Sequence, residues 1–439
     1  MLKRSLVPVV AASAVSAVLV VSAAAPPPAR ATPRTPTELA PDPAVVHYKL
    51  AIPPASETSD LEATIDALEQ RIRDKIASPF DLADLAEAHF QSAQLSGDQE
   101  ELDRAEALAR QSLAILPYPN GVAVVLAKIE SSRHEFREAI RIADAYVAHK
   151  PSASAEIVLA SAHLALGELD QASDAADKAV AMKPDASSYL MQALVLQARG
   201  RDVEAASSFT RAVEHELPGD VQESARARAL WARFLIRRGE LGGARMLADE
   251  ALRIVPDHPL ALAQKAEIAL RTGKLKEARD GFERAFATSR QVRYLIDYAR
   301  AQELSKDASG AASSRAQVEK LIRAELGTRG TGHKLDLVEV LTDRGTAADL
   351  ALAIELGRQE LAHRPSADTR FQLARAMYRS GDRNEAKRLI EAALATGVHD
   401  ARLYELAARV ETGPRKDEYA KAAIALDPGA SGWRSQGMK

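Results

Sequence analysis

Between residues 61 and 428, apolar residues recur three and four positions apart, and the pattern restarts about every 34 residues. Such spacing places apolar side chains on one face of an α-helix. In one copy it predicts a helix from about Ala153 to Leu166 and a second from about Leu169 to Met182. Gly167 suits the left-handed position that ends a helix, and Pro184 prevents the second helix from continuing. The segment therefore predicts a helical hairpin.

Prolines mark the same hairpin along the chain, with spacings of 34, 33 and 34 residues between Pro117, Pro151, Pro184 and Pro218. Small residues stand 12, 8 and 5 positions before several of these prolines, and they let two helices approach closely. One hairpin cannot bury its own apolar face, whereas a stack of copies can. We therefore expect an array of stacked hairpins.

The composition fits such an array, since 46% of the residues are apolar but only 4% are aromatic. Alanine supplies much of the apolar share, and it is the residue with the highest helix propensity. The absence of cysteine excludes disulfides, thiolate metal sites, a cysteine nucleophile and a lipidated cysteine. A formal net charge of −3 predicts no nucleic-acid partner, because that affinity needs a basic face.

The hairpins resemble the tetratricopeptide repeat, a 34-residue helix–turn–helix unit. The matching positions are Gly167, Ala172, Ala176, Ala179 and Pro184; Gly200, Ala205, Phe209 and Ala212; Gly239, Ala244, Ala248, Ala251 and Pro256; Gly273, Ala278, Phe282 and Ala285; Gly381, Ala386, Ile390 and Ala393. The resemblance implies an all-α, right-handed α-solenoid of about nine to ten hairpins that serves as an interaction scaffold and not as an enzyme. The unit at 291–325 departs from the pattern, with KDASGA where a glycine turn is expected.

The first 31 residues predict an export signal. Lys3 and Arg4 precede an uncharged apolar run from Leu6 to Ala25, and Ala29-Arg30-Ala31 fits an A-x-A cleavage site. An uncleaved membrane anchor remains the alternative, because 20 apolar residues are long enough to span a bilayer. Both interpretations place the rest of the chain outside the cytoplasm, in the periplasm or secreted. Residues 32–60 are predicted to form a Pro-rich disordered linker.

Residues 327–334, GTRGTGHK, are close to the phosphate-binding sequence G-x-x-x-x-G-K-[ST]. A helical pattern precedes them where a phosphate loop needs a strand, His333 separates Gly332 from Lys334, and Leu335 replaces the Ser or Thr. We therefore interpret 326–334 as a Gly-rich joint between an N-terminal arm, 61–325, and a C-terminal arm, 335–428, with a disordered tail over 429–439. An anion contact at the start of the next helix is the weaker alternative.

No sequence motif predicts catalysis, a metal site or a cofactor. His134-Glu135 and His215-Glu216 lack the second histidine of H-E-x-x-H, and G-x-S-x-G does not occur. The chain is therefore expected to be non-enzymatic, with neither catalytic residues nor bound cofactor or metal.

The resemblance implies that the first helix of each hairpin lines a concave groove, and its exposed inner positions are candidate contacts for a protein or peptide partner. These candidates are Arg226, Arg233, Arg237, Glu267, Arg271, Tyr294, Asp297, Tyr298, Phe371, Arg375, Tyr378 and Arg379. Arginine and tyrosine are both enriched at interface hot spots. In the alternative interpretation, Tyr294 and Tyr298 belong to the core and the arginines are ordinary solvated residues.

The sequence thus favours an exported interaction scaffold, and we expect it to act in assembling an envelope or secretion complex. The alternative is a receptor for a small anionic ligand, or an accessory subunit of an enzyme encoded elsewhere. A contiguous apolar and aromatic groove would favour a peptide, and a closed basic pocket around Arg226, Arg233 and Arg237 would favour an anion. A membrane contact is expected only through an uncleaved N-terminal anchor.

Overall fold

The structure, a computed structural model, describes residues 39–50, 57–118, 120–326 and 333–428. Within these ranges the regular structure is entirely helical. The helices are α1 (Pro43–Val46), α2 (Glu57–Arg73), α3 (Pro79–Ser96), α4 (Gln99–Ile115), α5 (Val122–Ser132), α6 (Phe136–Val147), α7 (Ala153–Leu166), α8 (Leu169–Met182), α9 (Ala186–Ala198), α10 (Asp202–Glu214), α11 (Val221–Arg237), α12 (Leu241–Ile254), α13 (Pro259–Arg271), α14 (Leu275–Ser289), α15 (Val292–Leu304), α16 (Ala308–Leu326), α17 (Lys334–Arg344), α18 (Ala347–His363), α19 (Ala367–Ser380), α20 (Arg383–Leu394), α21 (Ala401–Val410) and α22 (Arg415–Leu426). None of the helices described here is long and apolar enough to cross a membrane. The predicted signal, 1–31, and the predicted tail, 429–439, lie outside the described residues.

From α3 onward the helices form ten antiparallel hairpins, numbered 1 to 10, in which an odd-numbered A helix pairs with the following even-numbered B helix. Each B helix also packs on the next A helix, and most A helices pack on the next A helix. B helices do not form comparable contacts with one another within the described ranges. The A helices therefore line the inner side of a curved stack, as in an α-solenoid. The predicted all-α array of nine to ten hairpins is confirmed.

Alanines hold the two helices of each hairpin together. In hairpin 3, Ala172, Ala176 and Ala179 are at most 1% exposed, and the equivalent small residues of the other hairpins are buried in the same way. Side chains of this size let helix axes approach closely. The core is therefore a continuous series of small clusters along the stack.

In hairpins 1 to 9 a left-handed residue connects the A and B helices. Gly167 caps α7 with φ 80°, as the sequence predicts. In hairpin 7, the unit that departs from the repeat pattern, Lys306 takes this position with φ 64°. A regular hairpin still forms there, because α15 and α16 bury Val292, Leu295 and Ile322. The fold therefore tolerates a non-glycine residue at the turn.

The core continues on both sides of the predicted joint. Val318 and Ile322 of α16 share one apolar cluster with Leu337 and Val338 of α17. Residues 327–332, which carry most of GTRGTGHK, lie outside the described residues. The joint and the division into two arms therefore stay predictions.

Residues 39–50, here called the N-terminal strap, differ from the predicted disordered linker. Leu39, Val46 and Tyr48 are at most 4% exposed, and α1 lies between α10 and α12. From Glu57 the chain is helical. The strap thus fills the seam between hairpins 4 and 5, since its apolar side chains find partners far along the sequence.

A buried arginine fixes the strap. Arg228 of α11 is fully buried, donates from Nε to the Val46 carbonyl at 2.7 Å, and forms a bidentate ion pair with Glu216 at 2.7 and 2.8 Å. Its guanidinium also lies over the Tyr48 ring. The strap is therefore an integral part of the fold.

Successive turns of the superhelix touch. The backbone N–H of His399 donates to the carbonyl of Ala198 at 2.9 Å, and Gly97 lies so close to the Ser289 carbonyl that a Cβ would not fit. Gly97 and Ala198 lie at the A–B turns of hairpins 1 and 4. Ser289 and His399 lie at the connections that follow hairpins 6 and 9, so in both contacts a turn meets the loop between the fifth and sixth hairpins after it. About five and a half hairpins therefore complete one turn, and the A helices enclose an inner channel, here called the lumen.

The free energy that hairpin 7 loses by placing a lysine in the left-handed backbone conformation can be measured. Lys306→Gly should raise the free energy of unfolding by about 1 kcal/mol, because L-residues are disfavoured in this backbone conformation. The matched control is Gly273→Lys in hairpin 6, where φ is 77° and no heavy atom lies within 4 Å of an added Cβ. It should lower stability by a similar amount. Unchanged urea midpoints in both variants would contradict this account.

Removal of the strap should destabilise the solenoid. A chain that starts at residue 51 should lose at least about 3 kcal/mol relative to one that starts at residue 32, because three buried apolar side chains are removed. Chemical unfolding followed by circular dichroism measures the difference. Equal stability of the two chains would show that the strap is dispensable.

Candidate partner-binding groove

The luminal surface is defined by register. In hairpins 1 to 9, the residues 13, 9, 6 and 2 positions before the left-handed residue of the A–B turn form one row per A helix, and together they are the luminal row. Ion pairs between neighbouring A helices join members of this row: Arg293 and Arg300 of α15 contact Glu339 of α17 at 2.8 and 3.4 Å, and Arg375 of α19 pairs with Asp343. These side chains therefore face the same space.

The row changes character along the stack. In hairpins 3 and 4 its members are small or apolar, namely Ser154, Val158, Ser161, Ala165, Ser187, Met191, Leu194 and Ala198. In hairpins 5 to 9 most are charged, namely Arg226, Arg233, Arg237, Glu267, Arg271, Arg293, Asp297, Arg300, Asp336, Glu339, Asp343, Asp368, Arg375 and Arg379. Val158 and Met191 are only 5% and 6% exposed and belong to an apolar cluster. The lumen thus offers a stretch of mostly small, uncharged residues followed by one of mixed charge.

Eight of the twelve candidate residues lie in the luminal row: Arg226, Arg233, Arg237, Glu267, Arg271, Asp297, Arg375 and Arg379. The four aromatic candidates do not. Tyr294 and Phe371 are 7% and 5% exposed and belong to apolar clusters, and Tyr298 and Tyr378 pack at the edges of the same clusters. The core interpretation therefore describes the tyrosines better than a groove contact does.

Several luminal arginines already have partners. Arg226 pairs with Glu223 at 2.9 Å. Arg271 binds Asp427, beyond the last hairpin, at 2.8 Å, and both side chains are at most 2% exposed. Arg271 therefore holds two superhelical turns together and is not available to a ligand. Within the described residues, Arg226 and Arg271 are therefore already engaged by carboxylates of this chain.

An acidic centre that the sequence reasoning missed lies in hairpin 8. Arg293, Arg300 and the amide of Gln372 all contact the carboxylate of Glu339, which is 6% exposed. Burial alone would raise the pKa of Glu339, but Arg293 and Arg300 outweigh burial and hold this pKa well below its ordinary value. Counting back from Gly345 would have found this residue.

Two luminal charges make no hydrogen bond within the described residues. Arg233 has no hydrogen-bonding or ion-pairing partner, its Nε is buried, and burial lowers its pKa. The nearest cation to Asp336 is Arg293, at 3.7 Å. Burial raises the pKa of Asp336 to about 6, although Arg293 partly opposes it. Buried charges of this kind are common at functional sites.

Lys334 begins α17, and its ammonium lies 3.6 Å from the Glu360 carboxylate. The anion contact considered for this helix start therefore has an internal acidic competitor. No group of three or more His, Asp or Glu residues in the described ranges is arranged to hold a metal ion.

The carboxylates of Asp336 and Glu339 in α17 should respond oppositely to neutralisation. The folded pKa of Asp336, about 6, exceeds its unfolded value of 3.8, so its ionisation penalises folding increasingly as pH rises from 4 to 6. Asp336→Asn should therefore raise the free energy of unfolding at pH 8 by about 1–2 kcal/mol, with the gain vanishing near pH 4.

Glu339→Gln is the matched control. The lowered pKa of Glu339 stabilises the fold above the ordinary titration range of glutamate, so this variant should lose about 3 kcal/mol at pH 7. Urea unfolding as a function of pH measures both variants. A loss of stability in Asp336→Asn at pH 8 would contradict the assignment.

Comparison of the sequence with models of known protein families gives no match, and comparison with curated proteins gives none either. Solved structures of similar fold include a tetratricopeptide repeat protein from Parabacteroides merdae, 13% identical, covering 60% of this chain and 93% of that one with a TM-score of 0.39. Human IFIT1 with PPP-AAAA is 15% identical and covers 79% and 96%, with a TM-score of 0.46.

A third similar structure is the Cut9–Hcn1 hetero-tetramer of the APC/C, at 13% identity with a TM-score of 0.45. The alignment covers 76% of this chain but spans only 55% of that one. The ten hairpins, the buried small residues at fixed offsets and the left-handed A–B turns identify the chain as an α-solenoid of the tetratricopeptide-repeat type.

Proposed function

We propose that this chain is an exported, non-enzymatic scaffold that binds a segment of a protein partner in its lumen. The luminal row carries the proposal. It presents uncharged side chains in hairpins 3 and 4, followed by a mixture of positive and negative side chains in hairpins 5 to 9. A surface of this length suits an extended polypeptide, which offers apolar, cationic and anionic groups in succession.

A receptor for a small anion is less well supported. Glu223 already neutralises Arg226, and Asp427 neutralises Arg271. In hairpins 7 to 9 each acidic member of the row has an arginine within 4 Å. A small anion would find few unpaired cations, whereas a polypeptide does not require a net positive surface.

Export is proposed from the N-terminal pattern of a short basic region, an apolar run and A-x-A. A role in assembling an envelope or secretion complex follows as the finer proposal, since a scaffold outside the cytoplasm would act there. N-terminal sequencing of the protein recovered from the envelope or medium should begin at Thr32. Recovery of the full-length chain from the cytosol would contradict export.

Site-specific photocrosslinking tests where the partner binds. A benzoyl-phenylalanine at Ser161, an exposed member of the luminal row, should crosslink a partner polypeptide in intact native cells. The matched control is Lys178, which is exposed on the B helix of the same hairpin. Crosslinks at Lys178 but not at Ser161 would move the binding surface to the outside. ATP turnover that is lost in Lys334→Ala would contradict a non-enzymatic scaffold.

A further inference from the structure

Arg233 and Asp336 are exceptions in a lumen whose other charges mostly engage one another. Arg226, Arg271, Arg293 and Arg375 each pair with a carboxylate. In contrast, no hydrogen bond is made by the Arg233 guanidinium or by the Asp336 carboxylate within the described residues. A partly buried charge without a hydrogen bond destabilises a fold.

The surroundings of Arg233 suit an acceptor supplied from outside the chain. Its Nε is buried without a partner, and its electrostatic neighbours are the phenol of Tyr294 and the charged side chains of Arg226 and Glu267. None of these forms an ion pair with it, and Arg271 already holds Glu267 at 3.0 Å. At this wall of the lumen, the Arg233 guanidinium therefore lacks an anionic hydrogen-bond acceptor within the described residues.

The surroundings of Asp336 suit a donor. Its side chain is 23% exposed, so it is accessible from the lumen. The nearest cation, Arg293, directs its hydrogen bonds to Asp297 and Glu339 instead. His333, at the start of the same hairpin, opposes the raised pKa of Asp336 less than Arg293 does. The Asp336 carboxylate therefore lacks a cationic hydrogen-bond donor within the described residues.

The two residues lie on opposite walls of the lumen. Arg233 belongs to hairpin 5 and Asp336 to hairpin 8, three hairpins further on. With about five and a half hairpins per superhelical turn, three hairpins correspond to a little more than half a turn. A chain running along the lumen would therefore meet a cation on one side and an anion on the other.

We propose that Arg233 and Asp336 select a polypeptide segment that carries both charges, with Arg233 binding a carboxylate of the segment and Asp336 binding an ammonium or guanidinium. This inference rests on the proposed function, because it assigns the partner's chemistry at the same lumen. Each partner charge supplies the hydrogen bonds that the resting structure lacks. Binding then recovers energy that the free protein lost by burying these groups.

Selection from a random peptide library displayed on phage tests the proposal. The probe is a 12-residue random library, panned on the mature protein, on Arg233→Gln and on Asp336→Asn. Wild type should enrich peptides that carry both an acid and a base. Arg233→Gln should reduce the enrichment of acidic residues about tenfold or more, the effect of one charged hydrogen bond, while the basic preference remains. Asp336→Asn should show the reverse pattern.

Thermal unfolding of each variant checks that it still folds. Arg284→Gln serves as the matched surface control. Arg284 lies on α14, is 62% exposed and pairs with Asp257, so its removal should leave the selected peptides unchanged. Both luminal variants should melt at or above the temperature of the wild type at pH 8, since each removes an unsatisfied charge. A merely structural role would instead lower the melting temperature.

The outcomes separate the two proposals. If wild type enriches no peptide above the unselected library, the polypeptide-binding function fails and this inference fails with it. If wild type enriches peptides whose charges do not change in either variant, the function stands and the assignment to Arg233 and Asp336 is wrong. Enrichment of acidic peptides alone, competed by inorganic phosphate, would overturn the dipolar segment in favour of a simple anion.

Discussion

Close contact between paired helices over alanine side chains is the constraint on which this structure depends. Ala172 and Ala176 in hairpin 3 are buried almost completely, and their equivalents repeat in nearly every unit. Because the contact repeats, each hairpin rotates by a similar amount relative to the one before it. The stack therefore coils, and after about five and a half hairpins the chain contacts itself.

Coiling determines the chemistry of the lumen. On a straight stack, the inner charges of the A helices would be surrounded by water and would keep ordinary pKa values. Enclosed by a full superhelical turn, Glu339 requires two arginines, and Asp336 has a raised pKa of about 6. Charges that the enclosure leaves without hydrogen bonds, such as Arg233, are maintained at a cost in stability. Retained instability of this kind is common where function requires it.

The features that depend on neighbouring residues were predictable from the sequence, and those that depend on distant ones were not. The hairpins and the turn at Gly167 follow from local pattern, and the turn at Gly381 sets the register by which Arg375 and Arg379 belong to the luminal row. The four aromatic candidates lie outside the luminal row because positions one residue apart on a helix face different directions. Phe371, for example, lies on the side of its helix that packs into the core. The strap was missed because the partner of Val46, Arg228, lies 182 residues away. The closure of the superhelix likewise depends on pairs such as Ala198 and His399.

Closure of the superhelix is the central claim, and the distance between two spin labels tests it most directly. The chain has no cysteine, so Gln171→Cys and Thr396→Cys can be labelled without background. Both residues line one polar cavity of about 350 Å³ between successive turns. Pulsed electron–electron double resonance should give a single narrow distance below about 25 Å, whereas an uncoiled stack at 8–10 Å per hairpin would place the labels about 50–60 Å apart. A broad distribution centred on the longer distance would contradict the closed lumen.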